Sequence, residues 1–287
     1  MVSAKSIQTF ADRIGEAATR ADSLVCVGLD PDFNRFPAHL RQLGPREAIV
    51  RFNEAIIEAT KDVACAYKPN LGFYLSYGMA GLEALAETRA LIPRDVPAIL
   101  DCKAGDVGST AAAYARGIFD EWGFDAVTVN PFLGEDSLAP FMAYPDRGVI
   151  VLCKTSNPGS GEWQDLIVGE SDGEPLFLKL ADRIARWARD YPATVGVVVG
   201  ATYPEQLAQV RARCPNLPIL LPGIGAQAGD VEAAVSSGID ADGGGLIVTA
   251  SRSIIYAGSG PDFADHAREA AVRLRDTVNA VRTSVRA

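Results

Sequence analysis

The sequence predicts a single (β/α)8 barrel, and three observations carry the prediction. Eight short apolar runs recur along the chain, each followed by a polar turn and then by a segment of helical periodicity. The runs are rich in Val, Ile, Leu and Ala at successive positions, the pattern of parallel strands buried on both faces. The chain has 287 residues, which suits a fold that typically takes ~250. An open doubly wound sheet is the alternative for this alternation, and a count of eight favours the barrel. No low-complexity stretch, long charge run or Pro/Gly/Ser linker divides residues 1–287, so one domain is expected.

In chain order, a helix around residues 3–20 precedes the first strand and is placed to cover the barrel floor. Strands are predicted at 24–29, 63–67, 98–102, 126–129, 149–152, 195–199, 219–221 and 246–248. Helical stripes fall between them at 3/4 spacing. Ile49, Phe52, Ile56 and Ala59 form one; Phe177, Leu180, Ile184, Trp187 and Tyr191 form another. Ala267, Ala270, Leu274, Val278, Val281 and Val285 form a third. The arginines around the third (Arg268, Arg273, Arg275 and Arg282) read as a solvated face. A long segment, 154–175, follows the fifth strand and carries Trp163.

Composition excludes several function classes. The formal net charge is −9, from 27 Lys+Arg against 36 Asp+Glu, and general nucleic-acid binding needs a basic footprint instead. No apolar run approaches the ~20 residues of a membrane span, and the charged N-terminus has no signal-peptide core. Cys26, Cys65, Cys102, Cys153 and Cys214 are odd in number and far apart, which suits buried, reduced thiols and a cytoplasmic protein. The only histidines, His39 and His266, lie far from each other, so neither a His-based triad nor a zinc site is expected.

In a barrel the site lies at the C-terminal strand ends, and polar residues gather there. They are Asp30 after strand one, Lys68-Pro69-Asn70 after strand two, and Asp101, Lys103 and Asp106 around the end of strand three. Asn130, the run Lys154-Thr155-Ser156-Asn157, and Ser251-Arg252 follow strands four, five and eight. Asp101 and Lys103 are two apart, so a strand points them to one face. The apolar run before them draws both toward a buried rim, where charges persist when paired or functional. An ordinary surface ion pair is the alternative. Asp106 sits in the turn before a helix that Ser109 or Thr110 is placed to cap. Gly223, Gly225, Gln227 and Arg252 read as a phosphate site after strands seven and eight. The 223–228 stretch also matches G-x-G-x-x-A, but Asp242 precedes the next strand, at the wrong edge for a dinucleotide fold.

Asp101-x-Lys103-x-x-Asp106-Val107-x-x-Thr110 resembles the signature of the orotidine 5′-phosphate decarboxylase family. The length and Lys68-Pro69-Asn70 are most similar to its longer bacterial type-2 branch. The similarity runs in order from Gly28-Leu29-Asp30, through Ser156-x-Pro158-Gly159 and 222–227, to Ser251-Arg252-Ser253. The resemblance implies decarboxylation of orotidine 5′-phosphate to uridine 5′-phosphate and CO2, the last step of UMP synthesis, with no metal and no cofactor. It implies Lys103 as proton donor to C6, Asp101 facing the substrate carboxylate, and Lys68 orienting Asp101 and the ribose. It further implies Asp30 on a ribose hydroxyl, Ser156 (or its neighbour Thr155) on the pyrimidine edge, and Gln227 and Arg252 on the phosphate. Asp106 and Thr110 would reach across a homodimer interface into the partner's site. Asn130 joins the substrate-binding set by its position at a strand end.

The chemistry suits these residue types. Losing CO2 from C6 leaves charge on a ring carbon with no adjacent carbonyl, and no electron-sink cofactor motif is evident. Fixed charges must stabilise it, and a lysine also delivers the proton. Two rivals remain in view. One is an Mg-dependent sugar-phosphate decarboxylase or aldolase of the same superfamily, disfavoured because Lys68 stands where such enzymes place a metal-binding Glu. The other is a non-catalytic nucleotide binder.

Overall fold

The computed structural model describes residues 7–169, 173–224 and 228–286. Among them, eight parallel strands form one barrel. They are β1 (Val25–Leu29), β2 (Ala66–Pro69), β3 (Ile99–Ala104), β4 (Ala126–Val129), β5 (Gly148–Lys154), β6 (Thr194–Val199), β7 (Ile219–Leu221) and β8 (Leu246–Ala250). Hydrogen bonding runs β2-β1-β8-β7-β6-β5-β4-β3. Bridges Tyr67↔Ala98 and Asn70↔Asp101 close β2 onto β3. The apolar runs locate all eight strands. The second is displaced: residues 63 and 64 belong to the turn after a helix, while Lys68 and Pro69 extend the strand. A lysine and a proline do not read as buried strand, yet both are buried here.

The barrel has two apolar layers. An inner one joins Cys26, Ala66, Ile99, Ile150, Val198 and Leu220 with Phe10 and Ile14 of the first helix. That helix, Phe10–Ala21, starts later than residue 3 because Thr9 and Asp12 form a capping box there; residues 1–6 lie outside the described ones. Phe10 plugs the floor. A Cβ on Gly148 would lie 2.6 Å from its ring, so close packing requires glycine at the start of β5.

The outer layer packs the helices on the strands. Helices Pro45–Thr60, Leu176–Asp190 and Phe263–Arg286 bury most of the predicted stripes. Ala59, Leu180, Ala270 and Leu274 are only half-buried, Tyr191 lies just past its helix, and the side chain of Val285 lies outside the described residues. Ile57 and Thr60 broaden the first stripe instead. Arg282 corrects the solvated-face expectation: it is 16% exposed and donates to Gly243 O at 2.9 Å. Segment 154–175 contains a turn at Pro158–Ser160, a short helix Gly161–Gln164 and a hairpin pairing Ile167–Val168 with Glu174–Pro175. All five cysteines are free, and four are buried. Among the described residues no helix is long and apolar enough to cross a membrane.

Candidate active site

The centre of the site is an irregularity in β3. Leu100 pairs with Val127 and Ala104 with Val129, so four steps on β3 oppose two on β4. Lys103 takes φ +52 to make this possible, a left-handed conformation that is strained for a residue with a Cβ. Thr128 of β4 holds it in place. Its hydroxyl accepts from the backbone N–H of Cys102 at 3.1 Å and of Lys103 at 3.0 Å, and donates to Asp101 Oδ1 at 2.9 Å. Those three bonds use its full hydrogen-bonding capacity.

Asp101 receives four donors. Lys103 Nζ (2.7 Å) and Thr128 reach Oδ1; Lys68 Nζ and Asn70 Nδ2, both at 3.1 Å, reach Oδ2. Burial alone would raise its pKa, but Lys68 and Lys103 overcome that and hold the carboxyl well below the usual carboxylate range. Burial likewise works against the Lys68 ammonium, yet Asp101 and Asp30 raise it above the ordinary lysine value. The pair stays charged although the Lys68 side chain is only 5% exposed. Lys103 differs: its side chain is 49% exposed. It offers an ammonium to a cleft of about 980 Å³ that Lys68, Asp101, Asn130, Ser156 and Trp163 also line. Asp101 and Lys103 therefore do meet, but through a bulge and a left-handed residue rather than regular strand alternation.

Asp30 follows β1 at the same end. Burial pushes its carboxyl up from the ordinary value, opposed by Lys68 and by the Ser251 hydroxyl. Its Oδ1 is buried with no partner among the described residues. Tyr256 pins this loop, donating to Asp30 O at 3.1 Å and accepting from Asp32 N–H at 2.5 Å. Ser251 packs so closely on Gly28 that a Cβ there would lie 1.7 Å from its Oγ.

The hydroxyls of Thr155 and Ser156 differ in their bonding. The Thr155 hydroxyl is occupied, donating to Asn157 Oδ1 at 2.6 Å and accepting from Gln164 Nε2 at 2.9 Å. The Ser156 hydroxyl has no partner among the described residues. Its Cβ lies where a side chain on Gly200 would clash, at 2.6 Å. Asn130 accepts from Phe132 N–H at 3.1 Å and caps the turn that follows β4.

At the end of β7, Gly223 takes φ +92. The register Val248↔Leu221 sets this end beside that of β8, where Arg252 is exposed. Gly225 and Gln227 lie outside the described residues. Asp106 and Thr110 do not line the cleft. Asp106 accepts from Val107 N–H at 2.7 Å, and Thr110 is exposed. The cap expectation fails: helix Gly108–Arg116 has Val107 at its N-cap with no side-chain bond, so Ser109 and Thr110 fall inside its first turn. Among the described residues no group of three or more His, Cys, Asp or Glu is placed to hold a metal ion.

The sequence singles out neither Thr128 nor Tyr256, and it places Asn70 at a strand end without giving it a role. The role of Asn70 is to donate to Asp101 Oδ2. Thr128 leaves one trace, a hydroxyl within the apolar run 126–129.

Residues 23–265 match the family model for "Orotidine 5'-phosphate decarboxylase / HUMPS family". The chain is 56% identical over 279 residues to an orotidine 5'-phosphate decarboxylase of Thermomicrobium roseum, covering 96% of this chain and 97% of that one. It is 49% identical to another from Azoarcus sp., covering 95% and 99%. Among solved structures it is similar to a putative orotidine-monophosphate-decarboxylase of Toxoplasma gondii, with TM-score 0.88, 38% identity, and 98% of each chain covered. It is also similar to an OMP decarboxylase of Leishmania donovani, with TM-score 0.82, 40% identity, and 96% and 99% covered. The chain belongs to the orotidine 5'-phosphate decarboxylase / HUMPS family.

Proposed function

We propose that this chain acts as one barrel domain that decarboxylates orotidine 5′-phosphate to uridine 5′-phosphate and CO2. The observation that carries the reading is the Lys68–Asp101–Lys103 array, with both cations on one largely buried carboxylate and the outer ammonium facing the cleft. In this reading Asp101 faces the substrate carboxylate, and Lys103 stabilises the charge left at C6 and delivers the proton there. Lys68 keeps Asp101 ionised and oriented. The array is assembled before substrate arrives, so little reorganisation is needed as charge develops.

Asp30, whose buried Oδ1 has no partner among the described residues, takes a ribose hydroxyl. Ser156, whose hydroxyl has no partner among the described residues, takes the pyrimidine edge, and Asn130 lines the approach. Gly223, Gly225, Gln227 and Arg252 take the phosphate, and this grip supplies binding energy for organising the site. The reading places the enzyme in the cytoplasm, where five free thiols persist. It requires neither metal nor cofactor.

The reading also makes the enzyme a homodimer. Asp106 and Thr110 are not among the residues lining their own cleft, and next to them in the chain Val107 and Tyr114 are 55% and 48% exposed. Across an interface those apolar groups are covered, and Asp106 and Thr110 complete the partner's site. Mixing an inactive Lys103→Ala protein with an inactive Asp106→Ala protein should then restore part of the activity.

The direct experiment adds orotidine 5′-phosphate to purified protein and follows loss of its ultraviolet absorbance, with and without EDTA. Turnover unaffected by chelator is expected. Activity lost with EDTA and restored by Mg2+ would instead favour the metal-dependent branch.

A further inference from the structure

We infer that Lys154 is a positioning residue that holds the 155–165 loop over the base end of the cleft and thereby sets affinity for the pyrimidine rather than for the phosphate. This rests on the reading of the site given above. The starting observation is a buried charge that the proposed chemistry does not use. Lys154 is the last residue of β5, and its side chain is 1% exposed.

A second register shift places it there. Leu152 pairs with Val198 and Lys154 with Val199, so β5 gains a residue just before the lysine. Bulges re-aim side chains in this way. The Lys154 ammonium consequently lies among groups outside the inner layer. Asp165 Oδ1 is at 2.7 Å and Ser160 Oγ at 3.3 Å. The Tyr203 ring is 4.8 Å away and the Phe177 ring 5.9 Å.

The partners divide into two sets. Phe177 and Tyr203 belong to the fixed outer framework, while Ser160 and Asp165 belong to the loop. A buried ammonium is strongly unfavourable without a counter-charge. Its only carboxylate partner among the described residues is Asp165, whose side chain is otherwise 47% exposed. Lifting the loop would strip the buried cation of that partner, so the charge holds the loop down.

Gln164 adds a second clamp, with its Oε1 accepting from Thr155 N–H and its Nε2 donating to Thr155 Oγ1, both at 2.9 Å. Between the two clamps lie Ser156 and Asn157, both on the cleft wall. Trp163 extends over the mouth and meets Phe132 edge-on, with ring centroids 6.5 Å apart. Lys154 itself does not line the cleft, so its influence on substrate passes through Ser156 and its neighbours.

The test replaces Lys154 with methionine, which keeps the apolar stem beside Phe177 and Tyr203 and removes the charge. Calorimetry measures binding of UMP and of ribose 5-phosphate, which lacks the base, and thermal unfolding checks the fold. For Lys154→Met, UMP binding and the KM for orotidine 5′-phosphate should each weaken by about tenfold, the size of one lost hydrogen bond. Ribose 5-phosphate binding should change by less than about twofold, as for an independent site. Asp165→Asn, at the exposed end of the pair, should give a smaller loss of the same selectivity and serves as the test if Lys154→Met does not fold. Equal weakening of both ligands, or unchanged UMP binding, overturns the inference. A wild-type protein that binds no UMP and turns over no substrate would overturn the functional reading instead.

Discussion

The barrel carries a largely buried aspartate ringed by cations at each of its ends, and the two differ in ways that separate chemistry from architecture. At the mouth, Asp101 is paired with Lys68 and Lys103. At the floor, Asp125 is paired with Arg13, with Arg89 at 3.3 Å and with Arg147 at 3.6 Å, and it accepts from Ala98 N–H at 2.8 Å. The floor cations are guanidinium forks, and two are also bound to backbone: Arg13 donates to Asp146 O at 2.7 Å and Arg89 to Gly123 O at 2.9 Å. Planar forks fixed in this way tie chain segments together. The mouth cations are compact ammonium groups on flexible stems, and one is half-exposed to the cleft beside a left-handed backbone. Charge clustering alone therefore does not mark a reactive site. Strain, an open cation and a cleft mark the mouth; guanidinium forks tied to a carboxylate and to backbone carbonyls mark the floor.

This contrast can be broken from either end. The largest effect on rate is expected at the mouth, where Lys103→Ala should lower kcat by ~10^3-fold or more because one group supplies both charge and proton. Steady-state kinetics with circular dichroism checks this. The largest effect on stability is expected at the floor. Asp125→Asn should cost about 3–5 kcal/mol by leaving three partly buried guanidinium groups without the buried carboxylate they share. That is a fall in Tm of about 2 °C per kcal/mol for a chain of this size, read by thermal unfolding.

Arg252→Ala should lower kcat/KM for orotidine 5′-phosphate by about 2–5 kcal/mol, as for a lost charge pair to a buried anion, and barely change it for orotidine. Equal losses on both would make Arg252 structural. Thr128→Val should cost about 1–3 kcal/mol, because two backbone N–H groups at the bulge lose their acceptor, and turnover should fall with it as Lys103 loses its fixed conformation. A stable, fully active Thr128→Val protein would show that the bulge holds itself.

The smallest effect is a pH dependence that distinguishes two carboxylates at the same mouth. Asp30 has its folded pKa raised, so its ionised form destabilises the fold at neutral pH, and the penalty vanishes as pH falls below the ordinary carboxylate value of ~4. Asp30→Asn should therefore raise Tm at pH 7 while lowering activity, and the gain should disappear in acid. Asp101 has the opposite sign. Its folded pKa is depressed, so its contribution is present above ~4 and lost as pH falls through the folded value. Asp101→Asn should lower Tm at pH 7.

The legible part of this molecule was the part with a period or a compact motif. Strands buried on both faces read as apolar runs, and Asp101-x-Lys103 marked the mouth because two charges there interrupt such a run. The illegible part depends on contacts between distant segments. Nothing local announces that Thr128 will accept from two N–H groups of another strand, since a threonine suits any strand. The floor cluster draws Arg13, Arg89, Asp125 and Arg147 from four separate places in the chain. Strand two was displaced because Lys68 looks polar in isolation, and only its pairing with Asp101 makes it compatible with burial. Lys154 stands at a strand end in the sequence, but only its pairing with Asp165 makes it compatible with burial.

The contrast between mouth and floor is tested most directly by one paired measurement. Initial rates of orotidine 5′-phosphate decarboxylation are taken for wild type, Lys103→Ala and Asp125→Asn at a temperature where circular dichroism shows all three folded, and the same samples are then melted. The account predicts that Lys103→Ala is almost inert but melts close to wild type, while Asp125→Asn turns over at close to the wild-type rate but melts several degrees lower. A Lys103→Ala protein that retains most of its rate, or an Asp125→Asn protein that is folded yet as inactive as Lys103→Ala, would contradict it.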